Sequence, residues 1–107
     1  MTGDAVSTEV LDGVARIAVR GELDYLSAPA LKEAFERVER HTAPPMVEVD
    51  LAEVTHLDAS GLGLLVGMAK RQRGRDGDLR LVNVAPDAMA ALEVTGLDRA
   101  LQPEPAG

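Results

Sequence analysis

Val47 to Gly67, VEVDLAEVTHLDASGLGLLVG, is the stretch that decides the fold, because two periodicities meet inside it. Val47, Val49 and Leu51, followed by Val54 and Leu57, form the β-branched and apolar run of a buried strand, which Asp58 interrupts. After Ser60 the spacing changes, and Leu62, Leu65, Val66 and Ala69 recur at helical intervals. Gly61, Gly63 and Gly67 lower the intrinsic helix propensity of that run, so tertiary packing or a partner must hold it. The stretch therefore predicts a strand, a short polar loop and a helix, with Ser60 at the handover.

A serine in that place has two compatible readings. As an N-cap, its oxygen accepts a hydrogen bond from an otherwise unpaired backbone N–H, and its loss costs about 1 kcal/mol. As a phosphoacceptor, it is exposed by the polar loop, Gly61 leaves its surroundings open, and the helix N–H groups stabilise an added phosphate.

Upstream, Ser7 to Leu11 predicts a first strand, Asp12-Gly13 a two-residue hairpin turn, and Val14 to Arg20 a returning strand. Ala15, Ile17 and Val19 alternate with Arg16 and Arg20, the pattern of a half-buried strand that Gly21 ends. A helix follows, capped by Ser27 and begun by Pro29. Leu31, Ala34, Phe35 and Val38 make its buried stripe; Lys32, Glu33, Glu36, Arg37, Glu39 and Arg40 solvate the opposite face. His41 falls in the last turn, and Pro44-Pro45 stops the helix before the central strand, Met46 to Leu51.

Downstream, Lys70, Arg71, Arg73 and Arg75 close the second helix, where cations complement the C-terminal dipole. A docking patch for a partner is the alternative reading of that cluster. A turn at Gly74 to Asp78 leads to a strand over Leu79 to Val84; Pro86 opens a final helix that passes Met89, Leu92 and Glu93 to about Thr95, with Gly96 as C-cap. The order predicts one α/β domain: a mostly parallel sheet of four strands or slightly more, an antiparallel N-terminal hairpin, and about three covering helices. Residues 1–6 are expected to be a flexible N-terminus, 7–101 the domain and 102–107 a flexible tail. Because ligands in open α/β sheets gather at the carboxyl ends of strands, the loops of Asp24 and Ser60 are expected at one end.

Composition narrows the function. The 107 residues suffice for one core, and with one Phe, one Tyr and no Trp that core is aliphatic. A formal charge of −7 opposes a phosphate backbone, and the shortage of aromatic residues removes stacking platforms, so nucleic acid is not an expected partner. The absence of cysteine excludes a disulfide framework and thiol catalysis. Met1 to Val6 has no secretory pattern, and no segment approaches the ~20 apolar residues of a membrane span, so a cytoplasmic protein without membrane insertion is expected.

Catalytic readings are weak. A Ser60–His56 pair oriented by Asp24 or Asp58 lacks the nucleophile elbow, since Asp58 stands where its first Gly belongs. His41 and His56 show no metal-ligand spacing; Asp24, Asp50 and Asp58 read as turn and cap residues rather than magnesium ligands. The glycines of GLGLLVG lack the Lys-Ser/Thr pair of a phosphate-binding loop. No enzyme activity, metal or cofactor is expected. Gly63, Leu64, Gly67 and Met68 are small or apolar on faces that are either buried or open to a partner, and the pattern allows both.

The run Val47-Glu48-Val49-Asp50-Leu51, then Val54, then Leu57-Asp58-Ala59-Ser60-Gly61-Leu62-Gly63, resembles the phosphorylation-site region of the STAS domain, the family of bacterial anti-sigma factor antagonists. Gly21-Glu22-Leu23-Asp24 and Thr95-Gly96-Leu97-Asp98-Arg99 resemble two further segments of that family, in its order. Two departures stand out: Ala59 occupies a position where many members carry serine, and the C-terminus stops early. The resemblance implies a STAS-like fold with Ser60 as phosphoacceptor and Asp24 near it. Asp58 would orient the loop, and Ala59, Gly61, Leu62, Gly63, Leu64 and Gly67 would lie at the partner contact. It further implies a protein, monomeric when free, that in unmodified form binds an anti-sigma factor serine kinase and releases a sigma factor. Phosphorylation separates the complex, and a serine phosphatase resets it. Two alternatives stay open: a non-phosphorylated STAS scaffold in a transport or sensory complex, and a small hydrolase, which would need turnover on model esters and its loss in Ser60→Ala.

Overall fold

Asp12 and Gly13 both adopt positive φ, 53° and 78°, and join β1 (Val6–Leu11) to β2 (Val14–Leu23) as the expected antiparallel hairpin. The structure is a computed structural model and describes residues 5–106. The expectation for the first four residues lies outside that range. Helix α1 (Ala28–His41) leads to β3 (Met46–Leu57), then α2 (Ala59–Arg73), β4 (Asp78–Val82), α3 (Pro86–Thr95) and the single-turn α4 (Asp98–Leu101). The sheet has four strands in the order β1-β2-β3-β4; β2, β3 and β4 run parallel.

Alternation along the strands divides the sheet into two unlike faces. Ala15, Ile17 and Val19 of β2, Val47, Val49 and Leu51 of β3, and Leu79 and Leu81 of β4 are buried in one cluster. Leu31, Ala34, Phe35 and Val38 of α1 and Leu62, Leu65, Met68 and Ala69 of α2 complete it. Leu92 and Leu101 bring α3 and α4 into the same core. Each fully buried leucine contributes roughly 1.5–3 kcal/mol, which is how an amphipathic α1 and a glycine-rich α2 are held.

The other face carries charge. Parallel register sets Arg16, Glu48 and Arg80 side by side on β2, β3 and β4. Glu48 receives Arg16 Nη2 at 2.9 Å and Arg80 Nη2 at 2.6 Å, while Arg80 Nη1 also reaches Glu104 at 3.2 Å. Glu48 is only 8% exposed, and the hydrogen bonds from Arg80 and then Arg16 hold its carboxyl below the usual carboxylate range.

Four expectations are corrected. Gly21, at φ 83°, does not end β2; the strand continues to Leu23 through two register shifts against β3. β3 likewise runs beyond Leu51, because Arg20 to Leu23 supply a parallel partner for Glu53 to Leu57, and the polar loop shrinks to Asp58. α4 makes a fourth helix, too short for a periodicity argument but anchored by the fully buried Leu101. β4 ends before Val84, and the chain after α4 runs beside it: Glu104 N–H donates to Leu81 O (2.9 Å), and Val84 N–H to Glu104 O (2.9 Å). Ala106 N–H donates to Val84 O at 3.0 Å. β4 accordingly stops at Val82, and Val84 bridges Pro105.

Candidate functional site at the carboxyl ends of β2 and β3

The extended pairing of β2 with β3 places Leu23 opposite Leu57, and Asp58 N–H donates to Leu23 O at 3.2 Å. The loop of Asp24 and the start of α2 therefore share one end of the sheet, as expected. In the first of these loops Asp24 Oδ1 accepts from Leu26 N–H (3.0 Å) and Ser27 N–H (3.1 Å), with the Ser27 hydroxyl oxygen 3.2 Å away. The bond from Ser27 N–H is the main cause of an Asp24 pKa below the ordinary carboxylate value. Ser27 occupies the N-cap position of α1 without a side-chain cap bond; its hydroxyl donates to Glu22 O at 2.6 Å and accepts from Asp24 N–H at 3.0 Å. The predicted Ser27 cap is thus replaced by a closed turn. That turn displays Tyr25 and Leu26, 69% and 73% exposed. Sequence reasoning passed over them; their signal was two large apolar residues between turn-forming Asp24 and Ser27.

At the second loop the N-cap of α2 is Asp58, extended at φ −107° and ψ −177°, and its Oδ1 accepts from Gly61 N–H at 3.0 Å. Ser60 lies one residue inside the helix and is exposed. Its hydroxyl makes no hydrogen bond with the described residues, so the cap reading of Ser60 is corrected. The N–H groups of Ala59 and Ser60 likewise have no acceptor among the described residues, since Asp58 takes Gly61 N–H through its side chain and Leu62 N–H through its carbonyl.

Gly61 is buried rather than open. A Cβ there would stand 2.6 Å from Leu23 O and 2.8 Å from Leu23 Cγ, so only glycine lets α2 start this close to β2. Leu62 faces the core. Ala59, Gly63 and Gly67 are exposed and Leu64 is half-buried, which opens one side of α2 from Ser60 downward. A Cβ at Gly63 or Gly67 would meet nothing within 4 Å. His56 is exposed on β3, opposite Glu22, and makes no bond to Ser60.

The basic cluster at the other end of α2 is largely consumed internally. Arg71 and Arg75 both pair with Glu39 of α1, and Arg73 pairs with Asp78 at 2.8 Å. Burial opposes the Glu39 carboxylate, but Arg71 and then Arg75 outweigh it and keep its pKa below the ordinary value. Lys70 has no such partner among the described residues.

The family model described as Mlab, STAS domain matches residues 6–103, and the chain belongs to the STAS domain family. An anti-sigma-B factor antagonist of Listeria monocytogenes is 38% identical over 81 residues, 76% of this chain and 70% of the relative. The crystal structure of an anti-sigma factor antagonist from Mycobacterium paratuberculosis superposes with a TM-score of 0.83 at 31% identity, over 94% of this chain and 84% of that one. The Bacillus cell fate determinant SpoIIAA in its phosphorylated form shares the fold, with a TM-score of 0.72 at 20% identity over 92% and 90% of the two chains. Among the described residues no helix is long and apolar enough to cross a membrane.

Proposed function

We propose that this STAS domain is an anti-sigma factor antagonist switched by phosphorylation of Ser60. One observation carries the reading: Asp58 caps α2, which leaves the Ser60 hydroxyl exposed and without a partner among the described residues. In unmodified form the domain binds an anti-sigma factor serine kinase, so that a sigma factor is released. Ser60 is the residue acted upon and the domain itself performs no catalysis. The names of its relatives support the antagonist role.

Phosphorylation adds about −1.5 to −2 charges to the first turn of α2. Within the domain, the unused N–H groups of Ala59 and Ser60 and the helix dipole accommodate that charge. A partner packed over Ala59, Gly63 and Leu64, with Tyr25 and Leu26 at the same end, must bury it or repel it. The modification therefore lowers affinity without unfolding the domain. A serine phosphatase restores the binding form, and both encounters take place in the cytoplasm.

Intact mass of the protein from its native cells, with fragmentation to locate the modified peptide, tests the reading. One phosphate on Ser60 supports it. Absence of phosphate during both growth and stress leaves the unphosphorylated scaffold and removes the switch.

A further inference from the structure

A groove of about 200 Å³ runs between α1 and α2 below Ser60. Phe35, Leu64, Gly67 and Met68 form its apolar floor, and Lys32 and Arg71 stand on its rim with Glu36. Ser60, Leu64, Gly67 and Arg71 follow one another at helical spacing, so the groove is continuous with the side of α2 that begins at the phosphoacceptor.

The charged residues lining this groove are Lys32, Glu36 and Arg71, a balance less acidic than that of the whole molecule. The chain carries −7, yet Lys32 stands on the groove's rim, and the other lysine, Lys70, is exposed on α2 three residues beyond Gly67, outside the groove itself. Neither has an anionic partner among the described residues. Arg71, by contrast, is committed to Glu39 and also feels Glu36. One uncommitted lysine on the rim of an apolar trough and a second further along α2 are complementary to carboxylates spaced along a helix that carries an apolar side chain between them.

We propose that the groove seats an acidic amphipathic helix of the partner, with one apolar side chain entering between Phe35 and Leu64 and carboxylates facing Lys32 and Lys70. The inference rests on the partner-binding reading of the Ser60 side of α2. It supplies a reason for the switch to act at a distance from close contact. An acidic helix laid along α2 is repelled by a phosphate at its head, an effect that added salt screens over about 10 Å at 0.1 M.

The test is an NMR titration of the unmodified full chain with two synthetic helical peptides of about 16 residues. They share leucine and alanine positions and differ only in having glutamate or lysine elsewhere. Whole-molecule charge favours the basic peptide, so the expected result opposes the trivial one. The acidic peptide should bind about tenfold more tightly at low salt and shift the resonances of Phe35, Leu64 and Gly67. Lys32→Glu combined with Lys70→Glu should reverse the order, and Gly67→Gln, which has open space for its side chain, should weaken acidic-peptide binding without lowering the melting temperature. Tighter binding of the basic peptide, no saturable binding of the acidic one, or shifts confined to Arg16 and Arg80 on the sheet would overturn the inference. Because the titration uses unmodified protein, its failure is separate from a failure to find phosphate on Ser60.

Discussion

The two ends of α2 treat their polar residues in opposite ways. At its start one carboxylate, Asp58, takes the capping bond and leaves a neighbouring hydroxyl, Ser60, unused. At its end a buried carboxylate, Glu39, binds two cations that could otherwise have faced a partner. The first end leaves a hydroxyl exposed and the second ties its cations down. Whether a polar side chain is available is decided by which neighbour claims its hydrogen bonds, and residue type alone does not reveal it.

The largest effect expected at the open end is that of phosphate on Ser60. Affinity for the anti-sigma factor kinase should fall by about 100-fold or more in a calorimetric titration, a loss typical of a charge forced into a close interface. The thermal melt of the phosphorylated domain should stay near that of the unmodified one; a large loss of stability would mean that Ser60 is not the free position described.

Next comes the close approach that sets this end of the helix. Gly61→Ala places a methyl group against Leu23 O and should cost roughly 1–3 kcal/mol in denaturant unfolding. Gly67→Ala should instead stabilise by about 0.5–1 kcal/mol, since a Cβ there meets nothing and only helix propensity changes. Equal effects at the two glycines would break the contrast between packed and open sides of α2.

The division of labour between Asp58 and Ser60 gives a smaller signal. Asp58→Ala should lose about 1 kcal/mol of stability, and Ser60→Ala should stay within about 0.5 kcal/mol of the parent. The reverse order would return the cap to Ser60.

The tied-down residues should show in pH dependence. Glu39 and Glu48 have folded-state pKa values below their unfolded ones, so the stability they contribute is present above the unfolded value and is lost as pH falls through the folded one. Stability should therefore decline below about pH 5. Glu48→Gln should flatten that decline, measured as melting temperature against pH, whereas Ser60→Ala should leave its shape unchanged.

Much of the fold was legible in local pattern. Alternation in β2, the Asp12-Gly13 turn, the Leu31 to Val38 stripe and Pro86 with Gly96 each depend on residues within a few positions of one another. The candidate site was legible in part: Ser60 was found at the handover and Asp24 at the same end. Its microscopic roles were not, because Asp58 and Ser60 are both good caps and the choice depends on where the helix begins. Gly61 read as an opening, whereas Leu23, far away in the chain, makes it a contact. Tyr25 and Leu26 were missed because exposure is not a property of two residues in a loop.

The sequence by itself determined the order of elements, the mixed α/β class and the placing of Ser60 where a strand hands over to a helix. Tertiary structure decided where β2, β3 and the C-terminal segment stop. Backbone groups of Glu53 to Leu57 needed Arg20 to Leu23 as a parallel partner, and those of Val84 needed Glu104 and Ala106. Such partners lie beyond any local window, and strands extend wherever folding brings an unpaired ladder alongside. The same pairing sets the Asp24 turn beside α2, where Asp58 caps the helix and Ser60 is left free.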